Sequence, residues 1–240
     1  MKEVVLGSSM SLIKKNFPDY DTEKLEVIRY GLESLYLFIT KFVIITIVAL
    51  LLGIFKEYII FCILYNIIRM PSFGLHATKS WICLVTSLLI FVIAPFICSN
   101  YIIPYKLFLG MIAILLMFKN SPADTKYKPI INPKRRLFYK ITSTIIAILY
   151  VVVALRINNN FMSNALILSL IIQIVVISPL TYKLFKLPYD NYKNYNWKEV
   201  NFMKLANVLA AVGTATAGIG SQACILFFWD EPKCPKSLIK

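Results

Sequence analysis

Histidine occurs once in this 240-residue chain, at position 76, and acids are scarce: twelve Asp and Glu face 26 Lys and Arg, a formal net charge of +14. Between Glu57 and Asp190 the one acid is Asp124. A single histidine and five dispersed cysteines (62, 83, 98, 224 and 234), none in a CxxC pair, argue against a zinc ligand set and a disulfide scaffold. No metal and no cofactor are expected. The N-terminal MKEVVLGSSMSLIKKNFPDYDTEKLEVIRY has acids and lacks a compact apolar core, so no cleaved signal peptide is expected. Charged residues make up only 16%, where a soluble domain carries about a quarter. The basic residues sit in gaps between apolar runs and form no stripe or face, which excludes nucleic acid and points to anionic lipid as a partner.

What the chain has in abundance is apolar sequence, 58% of residues, with a mean hydropathy of +0.70. Six apolar segments can be drawn at 35–54, 57–73, 81–99, 101–118, 137–155 and 163–182. Several approach the roughly 20 residues a helix needs to cross the hydrocarbon. The second and fourth are short or interrupted by polar residues, which suits a tilted or re-entrant course. An all-α integral membrane fold with about six transmembrane helices follows. Lys and Arg collect before the first segment and around Arg69, Lys79, 119–136 and 183–198, so both ends of the six-span unit are expected in the cytoplasm. Residues 1–30 mix Leu12, Ile13, Phe17, Leu25 and Ile28 with charges, as an amphipathic interfacial segment does. The membrane domain is then 31–200. From Met203 the chain turns small-residue rich and ends in CILFFWDEPKCPKSLIK.

If the chemistry uses an imidazole near neutral pH, it is His76. The nearest cysteine, Cys83, is the candidate nucleophile beside that base. On a straight helix seven residues place the two on one face but about 10.5 Å apart, too far for a hydrogen bond. Pro71 and Gly74 supply a break before His76 that lets the loop fold back. Against this stands the plain alternative of a buried apolar cysteine and an interfacial histidine. Asp124 is either a loop ion pair or Asx turn, or the carboxylate that orients the imidazole. Lys134, Arg135 and Arg136 either anchor the fifth span at anionic headgroups or bind an acidic substrate segment.

Arg69, Gly74, His76-Ala77 and Cys83, followed by Ser121-Pro122-Ala123-Asp124-Thr125 and a basic run, resemble the accessory gene regulator B (AgrB) family over about residues 1–200. The resemblance implies a membrane-embedded cysteine endopeptidase (a thiol protease) of Gram-positive quorum sensing and virulence regulation. It implies His76 and Cys83 as catalytic pair, with Arg69, Gly74 and Asp124 in support. It places the chain in the cell membrane, multi-pass, with the site facing the cytoplasm. Residues 203–240 resemble the family's precursor peptide, AgrD. They divide into a membrane-associating helix (203–223), a ring segment from Cys224 to Trp229, and a tail from Asp230 to Lys240. Cleavage after Trp229, or instead after Phe228 to leave a five-residue ring, and closure by the Cys224 thiol would give a cyclic thiolactone, with processing in cis or in trans left open. Self-association as a homodimer is compatible with this reading. The competing class is a peptide transporter without proteolysis. It calls for intramembrane charges and an internal repeat, whereas Lys41, Lys106, Lys140 and Gln173 are the few polar residues near spans.

Overall fold

A computed structural model describes residues 2–75, 80–125 and 129–194, and these are helical apart from short connections. The chain runs through α1 (Lys2–Asn16), α2 (Thr22–Leu51), α3 (Phe55–Ser72), α4 (Ser80–Leu88), α5 (Ala94–Asn100), α6 (Lys106–Asn120), α7 (Pro133–Arg156), α8 (Asn160–Ile177) and α9 (Pro179–Leu184). Local chemistry sets most ends. The Asp21 carboxylate accepts from the Lys24 amide at 2.7 Å and starts α2. Asn132 accepts from the amides of Lys134 and Arg135, with Pro133 in the first turn of α7. Asn159 and Ser178 cap α8 and α9 in the same way. A five-residue π turn, Leu89–Ile93, joins α4 to α5. It stands just ahead of Pro95, whose ring and missing N–H cannot follow a regular α ladder.

Helix α8 sits at the centre, packed against α3, α5, α6, α7 and α9. It carries no charge and is buried around most of its circumference, from Ser163 to Ile177. Tyr58, Phe61, Tyr65, Phe91, Met117, Ile167 and Leu170 form the largest part of the core. The outer helices turn large apolar side chains outward at helical spacing: Leu107, Phe108, Met111 and Leu115 on α6, Ile141, Ile145, Leu149 and Val152 on α7. A surface of that kind belongs in hydrocarbon.

Four helices among the described residues are long and apolar enough to cross a membrane: Thr22–Leu51, Trp81–Asn100, Pro133–Arg156 and Asn160–Ile177. The second and fourth expected segments correspond to α3 and α6, of 18 and 15 residues. At 1.5 Å per residue they reach only about 27 and 22 Å. The first expected segment, 35–54, falls on a helix that begins thirteen residues earlier, where Asp21 caps it, and ends at Leu51, three residues short of the expected end. The N-terminal segment 1–30 holds α1, which ends at Asn16, and the first residues of α2, and α1 is tied to α2 by Lys2–Glu33 at 2.7 Å and Arg29–Glu3 at 3.6 Å.

Candidate functional site

The expected break before His76 is present and has a definite construction. Pro71 occupies the last turn of α3, and the helix stops at Ser72. Phe73 (φ 57°) and Gly74 (φ 120°) then turn the chain through two successive positive-φ residues. For Phe73 this is a strained conformation, of the kind that persists only where the surroundings hold it.

They hold it from three sides. Arg69, fully buried, donates from Nη1 to the Phe73 carbonyl at 2.8 Å and from Nη2 to the Leu75 carbonyl at 2.9 Å. The Gly74 amide donates to the Ala123 carbonyl at 2.8 Å, and the Ala123 amide donates to the Ser72 carbonyl at 3.0 Å. The Leu75 amide donates to the Val176 carbonyl of α8 at 3.3 Å. Residues 72–75 are thus stitched to α3, to the 121–125 loop and to α8, immediately ahead of position 76. His76 itself lies outside the described residues, as do Cys224, Trp229, Asp230 and the rest of 195–240. Cys83 is completely buried on the first turn of α4, in the same core cluster as Leu75, Ala123 and Ile177.

Asp124 follows the bridging residue Ala123 and is 1% exposed. Its Oδ1 accepts from the Asn191 amide at 3.0 Å; its Oδ2 accepts from the amides of Tyr192 at 3.0 Å and Ile130 at 3.3 Å. The Arg136 guanidinium lies 3.7 Å from Oδ2, 3.5 Å from an Asp190 oxygen and 3.6 Å above the Tyr192 ring. Burial pushes the Asp124 carboxyl above its ordinary range, with Arg136 and the three amides pulling the other way. Tyr182 and Tyr189 add hydroxyl donors to the carbonyls of Asp124 (3.1 Å) and Asn120 (3.4 Å). The result is a latch that fixes the chain after α9 against the 121–130 loop.

The structure brings Arg69, Gly74 and Asp124 to one end of the helix bundle. It divides the basic run: Arg136 turns inward to the latch while Lys134 and Arg135 stay exposed. Sequence reasoning missed Asn191 and the role of Gln173. The signal for the latter was present, since an amide in the middle of an apolar, uncharged helix needs a partner.

Residues 8–177 match the family model Accessory gene regulator B. The chain belongs to the accessory gene regulator B family. Its relatives include an AgrB-like protein of Listeria innocua, 36% identical over 77% of this chain and 91% of the relative. An AgrB-like protein of Clostridium acetobutylicum is 32% identical over 72% and 85% of the two chains. Accessory gene regulator protein B of Staphylococcus aureus is 30% identical over 65% and 83%. No solved structure matches. The family is membrane-associated and its process is accessory gene regulation, a form of quorum sensing. The matched region ends with the last residue of α8 and includes Arg69, Gly74, Cys83, Asp124 and Gln173.

Proposed function

We propose that this member of the family is a membrane-embedded cysteine endopeptidase that cleaves a quorum-sensing precursor peptide and closes it into a thiolactone. The observation that carries the reading is the pinned, positive-φ turn at Phe73–Leu75. It holds the residue joined to His76 in the same cluster as Cys83. A strained turn anchored by a buried arginine is a costly way to end a helix, and such strain gathers at functional sites.

In the proposed reaction His76 takes the Cys83 proton, and the thiolate attacks the Trp229 carbonyl carbon. The Trp229–Asp230 C–N bond breaks, and the imidazolium gives its proton to the departing Asp230 amine. The acyl group is then a thioester on Cys83. The Cys224 thiol, losing its proton to His76, attacks that carbonyl; the Cys83 C–S bond breaks and the thiolate is restored. The product is a ring closed between the Cys224 sulfur and the Trp229 carbonyl. The second exchange is thioester for thioester and near neutral. The first step, amide to thioester, is uphill and needs a site that excludes water and removal of the tail.

In this reading Arg69 and Gly74 shape the loop and Asp124 organises the latch, while Lys134 and Arg135 face headgroups or substrate. α3 and α6 complete a six-span, multi-pass unit in the cell membrane of a Gram-positive bacterium, with the site and both ends of the unit towards the cytoplasm. The latch supports a role for the C-terminal segment as substrate. It fixes residues 190–192 beside Asp124, whose neighbour Ala123 is hydrogen-bonded to Ser72 and Gly74. Mass spectrometry of the full chain in lipid vesicles tests the reading. Release of 230–240 should vanish in Cys83→Ala, and the product of cyclic mass should vanish in Cys224→Ala. Undiminished release from Cys83→Ala would overturn it.

A further inference from the structure

We infer that Gln173 is a positioning residue for this site, acting on His76 through residues 72–75; the inference rests on the cysteine-peptidase reading above. Gln173 lies in the second half of α8 and is completely buried. Its Nε2 is 2.6 Å from the Ser72 hydroxyl oxygen and 2.7 Å from the Phe73 carbonyl oxygen, 101 and 100 residues away in the chain. Among the described residues its Oε1 is buried and accepts no hydrogen bond.

That asymmetry identifies what the residue does. As a packing element an amide is a poor choice for this position, since a leucine would fill similar space and leave no buried acceptor unpaired. What only the amide provides is its pair of N–H donors, and both point at the end of α3. There, Pro71 and the positive-φ turn have taken the Phe73 carbonyl out of any helical ladder. A carbonyl has two lone pairs. Arg69 Nη1 fills one from α3 and Gln173 Nε2 fills the other from α8. The peptide plane between Phe73 and Gly74 is therefore fixed by donors from two different helices. One peptide further on, the Leu75 carbonyl is held by Arg69 Nη2, and its carbon is bonded directly to the His76 nitrogen. Gln173 and Arg69 together determine where the His76 backbone begins, without Gln173 touching the reacting atoms.

The test uses the full chain in lipid vesicles and a double-mutant cycle with His76. Two readouts are taken: the rate of release of 230–240, and the pH profile of Cys83 alkylation by iodoacetamide, assigned by peptide mass mapping. Gln173→Leu should slow release by roughly 10- to 100-fold, the range expected when a reacting group is displaced by about 1 Å. It should also move the Cys83 alkylation profile to higher pH, towards that of His76→Ala. Combined with His76→Ala, it should produce no further shift, because a residue acting through His76 has nothing left to act on. Gln173→Met, unbranched and close in length but without donors, should behave like Gln173→Leu and serves if the leucine variant does not fold. A profile unmoved by either variant, or a shift that persists in the His76→Ala background, would overturn the inference and leave Gln173 a packing residue. If the wild-type chain releases no peptide, the peptidase reading fails, while the alkylation cycle still decides the role of Gln173.

Discussion

Gly74→Ala is the sharpest single perturbation of the site. An added Cβ would stand 2.6 Å from Arg69 Nη1, 2.8 Å from Val176 Cγ1 and 3.2 Å from Ile177 Cγ2, with φ at +120°. The first contact is with a guanidinium that is not free to swing away, because its two donors hold the Phe73 and Leu75 carbonyls. The other two are with α8 at the bundle centre. Backbone strain in that φ region costs about 1–3 kcal/mol. Losing one charge-assisted bond of a buried arginine costs roughly 1.5–3 kcal/mol. The sum, about 2.5–6 kcal/mol, falls on the turn ahead of His76, and release of 230–240 should drop by roughly 100-fold or more. Two alanine variants separate geometry from stability. Gly110→Ala is equally crowded, with its Cβ 2.7 Å from Val151 Cγ2, but at the α6–α7 contact. It should cost about 1–3 kcal/mol of stability as overpacking and leave release within a few-fold of wild type. Gly31→Ala meets nothing within 4 Å and should change neither. Peptide release by mass spectrometry and thermal unfolding in the same vesicles are the assays. Wild-type release from Gly74→Ala would refute the reasoning, and so would a loss in Gly110→Ala as large as in Gly74→Ala.

Asp124→Asn places an amide against three backbone donors and should cost about 1–3 kcal/mol, read as faster limited proteolysis across 186–194. The same variant tests a pH slope. Burial raises the folded Asp124 carboxyl above its unfolded value, so the folded latch binds the proton more tightly, and stability should fall as pH rises from the unfolded value through the folded one and flatten above it; Asp124→Asn should remove this component. Arg136→Ala should loosen the latch as Asp124→Asn does, whereas Lys134→Ala with Arg135→Ala should leave proteolysis unchanged and weaken binding to vesicles containing anionic lipid. Processing of the tethered segment should be first order: the rate constant should not change when chains are diluted to one per nanodisc, and a Cys83→Ala chain mixed with wild type should stay uncut.

Much of the helical plan was legible because its causes are local. Pro71 ends a helix by denying a donor, an effect that acts within a few residues. Apolar runs long enough for a membrane could be read directly. The proposed His76–Cys83 pairing rests on scarcity, since one histidine leaves one candidate base, and His76 lies outside the described residues. Less legible were the bounds of elements whose reach depends on neighbours: α2 begins at Thr22, ahead of its apolar stretch, and α3 and α6 stop at 18 and 15 residues.

By itself the sequence determined the membrane character of the chain, its basic excess, the break at Pro71–Gly74 and the candidates for thiol chemistry. Only the tertiary structure decided which polar groups serve that break. Arg136 left its basic run for Asp124 and Asp190, Asp124 found amides 67 and 68 residues away, and Gln173 reached a carbonyl 100 residues away. Inside an apolar bundle a buried donor or charge must be met wherever a partner can be brought to it. That partner is set by how helices pack, and no local pattern in the chain records it.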